Sequence, residues 1–375
     1  MADCERVLHV LHSMNCGGAE NLIMNLYRNI DRRKIQFDFL VHFDGEMYFQ
    51  DEIERFGGRI YRMKTLLRCT PPVYASRLER FFRQHSEYKI VHSHLETTTG
   101  IILECAKKAG VPVRIAHAHN TRNTRKGLFF LPENLYKNYL GKKIVPAATG
   151  LFACSEPAAK WLYRDKSSQA VIFKNGIDID RFRFSPAVRV QTAEALCIPK
   201  STTVLMHTGR FYDQKNHRFL IEIFEAYQKI NPDSLLLLIG EGPLREDIEK
   251  RVLARGLLHS VRFLGTRDDV DALLQRGDIF LLPSKFEGLP LALVEAQCAG
   301  LNCYVSDCVP RESDLGCELV TFLPLDSPAE WAESMLKTPA VRASAGEKVA
   351  AAGYDIKRAA KRLEDIYAQM LYEAR

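Results

Sequence analysis

Residues 279–300, Ile-Phe-Leu-Leu-Pro-Ser-Lys-Phe-Glu-Gly-Leu-Pro-Leu-Ala-Leu-Val-Glu-Ala-Gln-Cys-Ala-Gly, constrain the fold more than any other stretch of the chain. The apolar run Ile279–Leu282 reads as a buried parallel strand. Pro283 ends it, Gly288 permits a tight turn, and Pro290 suits the first turn of a helix. Leu289, Leu291, Leu293 and Val294 give that helix apolar faces, interrupted by two carboxylates. Glu287 falls in the loop at the carboxyl end of the strand, and Glu295 near the start of the helix. In an open α/β sheet this is where ligands bind. A surface acid and an amphipathic-helix acid would produce the same letters, so the rest of the chain must decide.

The strand–loop–helix rhythm recurs along the sequence. Strands read at 6–12, 36–41, 59–62, 89–92, 113–117, 150–153 and 170–173, with helices at 19–30, 74–85, 97–109 and 157–163 between several of them. After Asn175-Gly176-Ile177-Asp178 and an irregular stretch around 183–188, the pattern restarts. Strands then read at 203–207, 235–239, 261–263, 278–282 and 303–306, with helices at 217–230, 243–255, 268–276 and 290–299. Alternating β and α units imply doubly wound, mainly parallel sheets. We therefore expect two α/β domains, 1–176 and 177–355, facing across a cleft. A last helix at 356–375 has few core partners left in sequence order and is expected to return to the first domain.

A chain of 375 residues with 46% hydrophobic and 26% charged residues has the composition of a globular protein with two full cores. No apolar run reaches the ~18 residues of a membrane span. The charged start, running straight into a strand, does not read as a signal peptide. Ten cysteines without CxxC pairs read as reduced thiols of a cytoplasmic protein. Charge is uneven: residues 1–180 hold 27 Lys/Arg against 19 Asp/Glu, and 181–375 hold 25 against 27, making the halves +8 and −2. A basic half suits an anionic surface or substrate. Nucleic acid is not expected, since no helix-turn-helix, zinc-finger or RNA-binding signature is present.

Four features gather at the carboxyl ends of the expected strands. Gly17 and Gly18, between strand and helix, let backbone N–H groups approach an anion. Arg210 after Gly209, with Lys215 five residues later, places a fork and a point charge where a diphosphate could lie. The turn Gly240-Glu241-Gly242-Pro243 ends a strand of leucines and opens a helix. His117 and His119 share one side of their strand, with His119 at its open end. Each alone is also ordinary loop chemistry.

Their order is more specific. Gly-Gly-Ala-Glu after the first strand, Arg-x4-Lys, Gly-Glu-Gly-Pro-Leu, then Phe-Glu-Gly-Leu-Pro with Glu-x7-Glu resembles the retaining glycosyltransferases of family 4, over essentially the full length. Within that family the chain looks like bacterial exopolysaccharide and capsule enzymes. The resemblance implies a GT-B fold of two Rossmann-like domains, the acceptor on the first and the nucleotide-sugar donor on the second. It implies a hexosyltransferase using a nucleoside-diphosphate sugar, UDP by family frequency, and a glycan or lipid-linked acceptor. Carried over by motif, Arg210 and Lys215 neutralise the leaving diphosphate, and Glu295 accepts from the ribose hydroxyls. Glu287 meets the donor sugar beside the N–H groups of Gly288 and Leu289. Gly17 and Gly18 approach the phosphate or sugar. Gly240, Gly242, Pro243, Thr266 and Val270 line the nucleoside, and His119 is the active-site histidine. A nucleotide-sugar epimerase or hydrolase, or a non-catalytic sugar-nucleotide binder, could use the same cleft.

Two further expectations complete the reading. Asp178 and Asp180 have DxD spacing but fall at the interdomain linker beside Asn175-Gly176, so they read as turn chemistry and no metal is expected. Residues 121–146 mix Arg122, Arg125, Lys126, Lys137, Lys142 and Lys143 with aromatic and leucine side chains. That composition suits peripheral contact with an anionic membrane at its cytoplasmic face, with normal packing on the domain as the alternative.

Overall fold

The computed structural model describes residues 4–15, 17–64, 70–120, 131–337, 342 and 344–375. The chain divides into two compact units, Met1–Gly176 with Ile356–Arg375, and Ile177–Asp355.

The first unit holds β1 (Glu5–Leu11), β2 (Ile35–Val41), β3 (Ile60–Arg62), β4 (Ile90–Ser93), β5 (Val113–Ala118), β6 (Gly150–Ala153) and β7 (Val171–Ile172). They form one parallel sheet in the order β3-β2-β1-β4-β5-β6-β7. Strand alternation divides its apolar residues between two cores. Val7, Leu11, Phe37 and Phe39 face one side, while Leu8, Val10 and Leu40 face the other. The helix Ile356–Glu373 packs in this unit, against the helix Gly18–Asn29, and adds Ile356, Ala360, Leu363 and Tyr367 to the first of those cores. Its Glu364 accepts from the Asp31 N–H at 2.6 Å.

The second unit holds β8 (Thr203–Thr208), β9 (Ser234–Ile239), β10 (Val261–Gly265), β11 (Ile279–Leu282), β12 (Asn302–Ser306) and β13 (Val320–Leu323), all parallel, in the order β10-β9-β8-β11-β12-β13. The leucines of β9 again divide by alternation: Leu235 and Leu237 join one core, Leu236 and Leu238 the other. In both sheets the order reverses beside the first strand, between β1 and β4 and between β8 and β11. In open α/β sheets, ligands bind outside the carboxyl ends of the strands at such a reversal.

Several segments differ from the sequence reading, among them the helices Leu131–Lys142 and Pro328–Lys337, which it did not name. The stretch expected to be irregular ends in a helix, Pro186–Ala195, started by Pro186 and capped by the Ser185 hydroxyl, which accepts from the Val188 N–H at 3.4 Å. β13 was not anticipated: it has four residues and none is fully buried, so its apolar signal is weak.

Candidate functional site

The loops after β8, β9 and β10, on one side of the switch point of the second sheet, are tied together by their backbones. Gly209 N–H donates to Ile239 O at 2.9 Å, Gly240 N–H to Gly265 O at 2.8 Å, and Phe211 N–H to Glu241 O at 2.9 Å. Gly242 lies at φ +156°, where a Cβ would sit 2.7 Å from Phe211 O, so the loop after β9 can lie this close only with glycine. Pro243 and Thr266 are exposed beside it, while Val270 packs partly into the core.

A second clip joins the loops after β8 and β11. A 3-10 turn at Asp213–Lys215 and a left-handed Asn216 (φ +55°) precede the helix His217–Ile230. Lys215 Nζ meets Glu287 Oε1 at 2.7 Å, with side chains only 17% and 7% exposed. Gln214 Nε2 donates to the other Glu287 oxygen at 3.2 Å and to Phe286 O at 2.9 Å. A pair this desolvated persists because each carboxylate oxygen has a donor, Lys215 on one and Gln214 on the other. Arg210 instead is exposed, its guanidinium 5.2 Å from the Tyr212 ring, and among the described residues no carboxylate pairs with it. The N–H groups of Gly288 and Leu289, ahead of the helix Leu291–Cys298, have no acceptor among the described residues. A helix start with free N–H groups favours negative charge.

Glu295 lies in that helix. Burial pushes its carboxyl up to about 8, with Arg181 opposing the shift and Asp271 adding to it. Arg181 is held by Asp271 at 2.6 Å. No donor reaches the Glu295 carboxyl among the described residues, so the fold keeps an acceptor in reserve there. Asp178 caps the short helix Ile179–Phe182, accepting from the N–H groups of Asp180 and Arg181 at 3.1 and 3.3 Å.

In the first unit, Gly17 precedes the helix Gly18–Asn29 and donates its N–H to Asn15 O at 3.0 Å; the space beside Gly18 is open. His119 is half-buried, less open than its loop-end position suggested. It belongs to a stack of five histidines. His9 of β1, His92 and the following His94 at β4, and His117 with the following His119 at β5 have successive ring centroids 4.2–5.3 Å apart. His9 Nδ1 lies 3.1 Å from His94 Nε2, and His94 Nδ1 lies 2.8 Å from His119 Nε2. His92 Nδ1 meets the Tyr367 hydroxyl at 2.7 Å. Burial lowers every one of these rings, His9 to about 3 and His119 to about 4, so all are neutral near pH 7. Two triplets, His9/His92/His94 and His94/His117/His119, bring ring nitrogens within 4.8 Å of one another. An ion there would have to displace the hydrogen bonds just described.

Glu96 holds the same strand end. It follows β4 at φ +47°, and its Oε1 accepts from the His119 N–H at 3.1 Å and from Asn120 Nδ2 at 2.9 Å. Burial pushes it up to about 7, and Oε2 is buried without a partner among the described residues. The sequence reading missed His9, His92, His94 and Glu96. The signal was there in part, since His92-Ser93-His94 repeats the alternation of His117-Ala118-His119 on the neighbouring strand.

The expected membrane segment is covered only in part. Residues 121–130 lie outside the described residues. In the helix Leu131–Lys142, Leu135 and Tyr139 are exposed, and Lys143 sits over the Tyr139 ring at 4.9 Å. Among the described residues no helix is long and apolar enough to cross a membrane.

Comparison with known proteins matches residues 16–181 to "Glycosyltransferase Family 4" and residues 191–337 to "Glycosyl transferases group 1". The putative glycosyltransferase EpsF of Bacillus subtilis is 34% identical over 371 residues, 97% of this chain and 96% of that protein. The UDP-Gal:alpha-D-GlcNAc-diphosphoundecaprenol alpha-1,3-galactosyltransferase of Escherichia coli is 31% identical over 234 residues, covering 59% of this chain and 58% of that one. Among solved structures, Anabaena Alr3699/HepE in complex with UDP superposes with a TM-score of 0.76 at 16% identity, covering 97% of this chain and all of that one. This last likeness carries the GT-B fold alone.

Proposed function

The chain belongs to the family 4 glycosyltransferases, and from that premise we propose that it moves a hexosyl or N-acetylhexosaminyl group from a UDP-sugar to a glycan or lipid-linked acceptor in cell-surface polysaccharide assembly. One observation carries the donor assignment: exposed Arg210, without a carboxylate partner among the described residues, the Lys215–Glu287 pair and the donor-free carboxyl of Glu295 stand on the segments that follow β8 and β11. The relatives support UDP as carrier, since the E. coli enzyme is named for UDP-galactose and the Anabaena protein binds UDP.

Breaking the sugar–phosphate bond builds negative charge on the departing diphosphate and positive charge on the sugar. Arg210 offers a bidentate fork to the first. Lys215 adds a point charge whose position Glu287 fixes beforehand, so little reorganisation is needed at the transition state. The free N–H groups of Gly288 and Leu289 serve the same charge. Glu287 keeps lone pairs for the hydroxyls of the donor sugar, and Glu295 takes the ribose. Gly240, Gly242, Pro243, Thr266 and Val270 shape the nucleoside side, with Gly17 and Gly18 as backbone approach points on the first unit. His119 provides a ring nitrogen to the substrate. Fixed cations and N–H dipoles fill the role a metal takes elsewhere, so we propose that the reaction needs none. The basic first unit, with exposed Leu135 and Tyr139, supports peripheral contact with an anionic membrane.

The test is transfer from a panel of UDP-sugars to a lipid-linked glycan acceptor by wild type and Arg210→Ala. Losing one preorganised donor should lower kcat by about 10²–10³-fold. Undiminished transfer by Arg210→Ala sinks the assignment. Conversion of the donor without acceptor would mark an epimerase or hydrolase, and activity abolished by EDTA and restored by Mn²⁺ would overturn the metal-free reading.

A further inference from the structure

Asn120 is exposed and stands just beyond β5, with its side-chain nitrogen bound to Glu96 after the neighbouring strand β4. We infer that Asn120 is an acceptor-recognition residue, whose carboxamide oxygen takes a hydroxyl of the acceptor glycan in an orientation set by Glu96; that the acceptor is a glycan rests on the function proposed above.

An asparagine side chain can turn end for end within one shape, because its carbonyl oxygen and amino nitrogen are nearly the same size. What it shows outward therefore depends on what holds its inner end. Here that is Glu96 Oε1, 2.9 Å from Asn120 Nδ2 and 3.1 Å from the backbone nitrogen of His119. The backbone N–H can only donate, so Oε1 must accept. Ionised, Glu96 has no proton to give. Protonated, as its raised value of about 7 allows near neutrality, it keeps Oε1 as the carbonyl-type oxygen, the stronger acceptor, and carries the proton on Oε2. Both states ask the Asn120 side chain for a donor. Nδ2 is therefore turned inward and Oδ1 outward, where no group donates to it among the described residues.

This is a costly way to tie two strand ends. Glu96 stands at φ +47°, in the left-handed region that glutamate rarely adopts, and its carboxyl is buried. Strain of this kind gathers where a functional group is being aimed. The aimed group lies at the carboxyl end of β5, beside β4 and the reversal of the first sheet, where open sheets take ligands. In the second unit Arg210, Glu287 and Glu295 already provide for the diphosphate, sugar and ribose of the donor. The strand ends of the first unit are left for the acceptor. A carboxamide oxygen suits a sugar hydroxyl, which can donate, and repels a phosphate, which only accepts. Asn120 thus touches the substrate, and Glu96 is a positioning residue.

The experiment uses the full chain with ¹⁵N-labelled asparagine, the Asn120 side-chain signals being identified by their loss in Asn120→Ala. In wild type one of its two amide protons should lie downfield of the free-amide position. It should return there in Glu96→Ala and stay in Glu96→Gln, whose amide keeps an oxygen toward the His119 N–H. A free-amide signal in wild type overturns the orientation. Transfer is then measured from the UDP-sugar panel to an N-acetylglucosaminyl diphospholipid, the acceptor class in the E. coli enzyme's name. Asn120→Ala should raise the acceptor KM roughly 3–10-fold, the range for one hydrogen bond, with donor KM and hydrolysis of the donor by water held within about twofold. Glu96→Ala should give the same rise, the double variant no more than either alone, and Glu96→Gln nearly none. A rise in donor KM alone, or additive effects of the two alanines, overturns the inference. If Glu96→Ala does not fold, the wild-type signal and Asn120→Ala decide it. No transfer by wild type removes the function proposed above and this role with it; normal transfer by Asn120→Ala removes this role alone.

Discussion

Replacing Glu295 by glutamine separates what that carboxyl costs the fold from what it gives the donor site. Its ordinary value of 4.5 is raised to about 8, chiefly by burial. Between those two values the folded protein holds a proton that the unfolded chain has released. Stability from this group therefore falls as pH rises from 4.5 through 8, and levels off above it. At about 1.4 kcal/mol per unit the full shift sets an upper bound of about 5 kcal/mol. Glu295 keeps part of its surface open and feels Arg181, so we expect roughly 1–3 kcal/mol in practice. Glu295→Gln keeps the shape and stays neutral. It should match wild type at pH 5 and exceed it at pH 9 by that amount, a Tm rise of roughly 2–12 °C at about 2–4 °C per kcal/mol. Donor binding should move the other way. Charge-assisted bonds from ribose hydroxyls contribute about 1.5–3 kcal/mol, so UDP should bind roughly 10–150-fold more weakly at pH 9. Wild-type UDP affinity should also climb with pH up to about 8, because binding selects the ionised form. Thermal denaturation at pH 5, 7 and 9, with calorimetric titration of UDP, reads both effects. Equal UDP affinity in the variant and wild type would refute the ribose role, and equal stability at pH 9 would refute the burial argument.

Acid should unfold the first unit early. Its five stacked histidines are depressed in the fold, so their stability contribution is present above 6.5 and lost as pH falls through that value. Each ring that stays neutral one pH unit below its unfolded value costs about 1 kcal/mol, so the stack together should remove several kcal/mol, a large part of a domain's stability. Trp161 fluorescence in Trp331→Phe protein, which reports the first unit alone, should change near pH 5–5.5; a first unit folded at pH 4 would contradict this. Gly242→Ala should destabilise by about 2 kcal/mol or more, because both its φ of +156° and the Phe211 backbone exclude a Cβ. Wild-type urea stability in that variant would show the loop to be softer than it looks. Anionic liposomes should bind the chain at low salt and release it at high salt; equal binding to neutral liposomes would remove the charge mechanism.

The strand–loop–helix order was legible because the strands are apolar on both faces and end at glycine or proline, as Leu235–Ile239 ends at Gly240. Segments held by distant partners were not. The helix Pro186–Ala195 has no clear apolar period; Arg189 anchors it, donating to the carbonyls of Gln275, Arg276 and Gly277. Arg210, Lys215, Glu287 and Glu295 could be picked out by type and order, yet two of them turn out to be a buried ion pair across 72 residues of sequence, which no local pattern encodes. His94 and Glu96 were overlooked because a histidine on a buried strand looks structural until its neighbours are known.

What marks the site in three dimensions is a property that letters do not carry. Folded chains pair nearly all buried polar groups, since an unpaired one costs about 1–3 kcal/mol. Among the described residues such atoms are scattered through both units, and in the second unit two of them, Thr208 Oγ1 at the end of β8 and Ser284 Oγ after β11, stand at the carboxyl ends of the switch-point strands. The donor-free carboxyl of Glu295 lies in the helix that follows β11. A chain under selection for stability alone would fill those positions with apolar side chains of similar size, as it fills β9. In the second unit it retains two hydroxyls and a carboxyl around the ends of β8 and β11. A sugar nucleotide, rich in hydroxyls and negative charge, is a ligand that can satisfy both kinds of group.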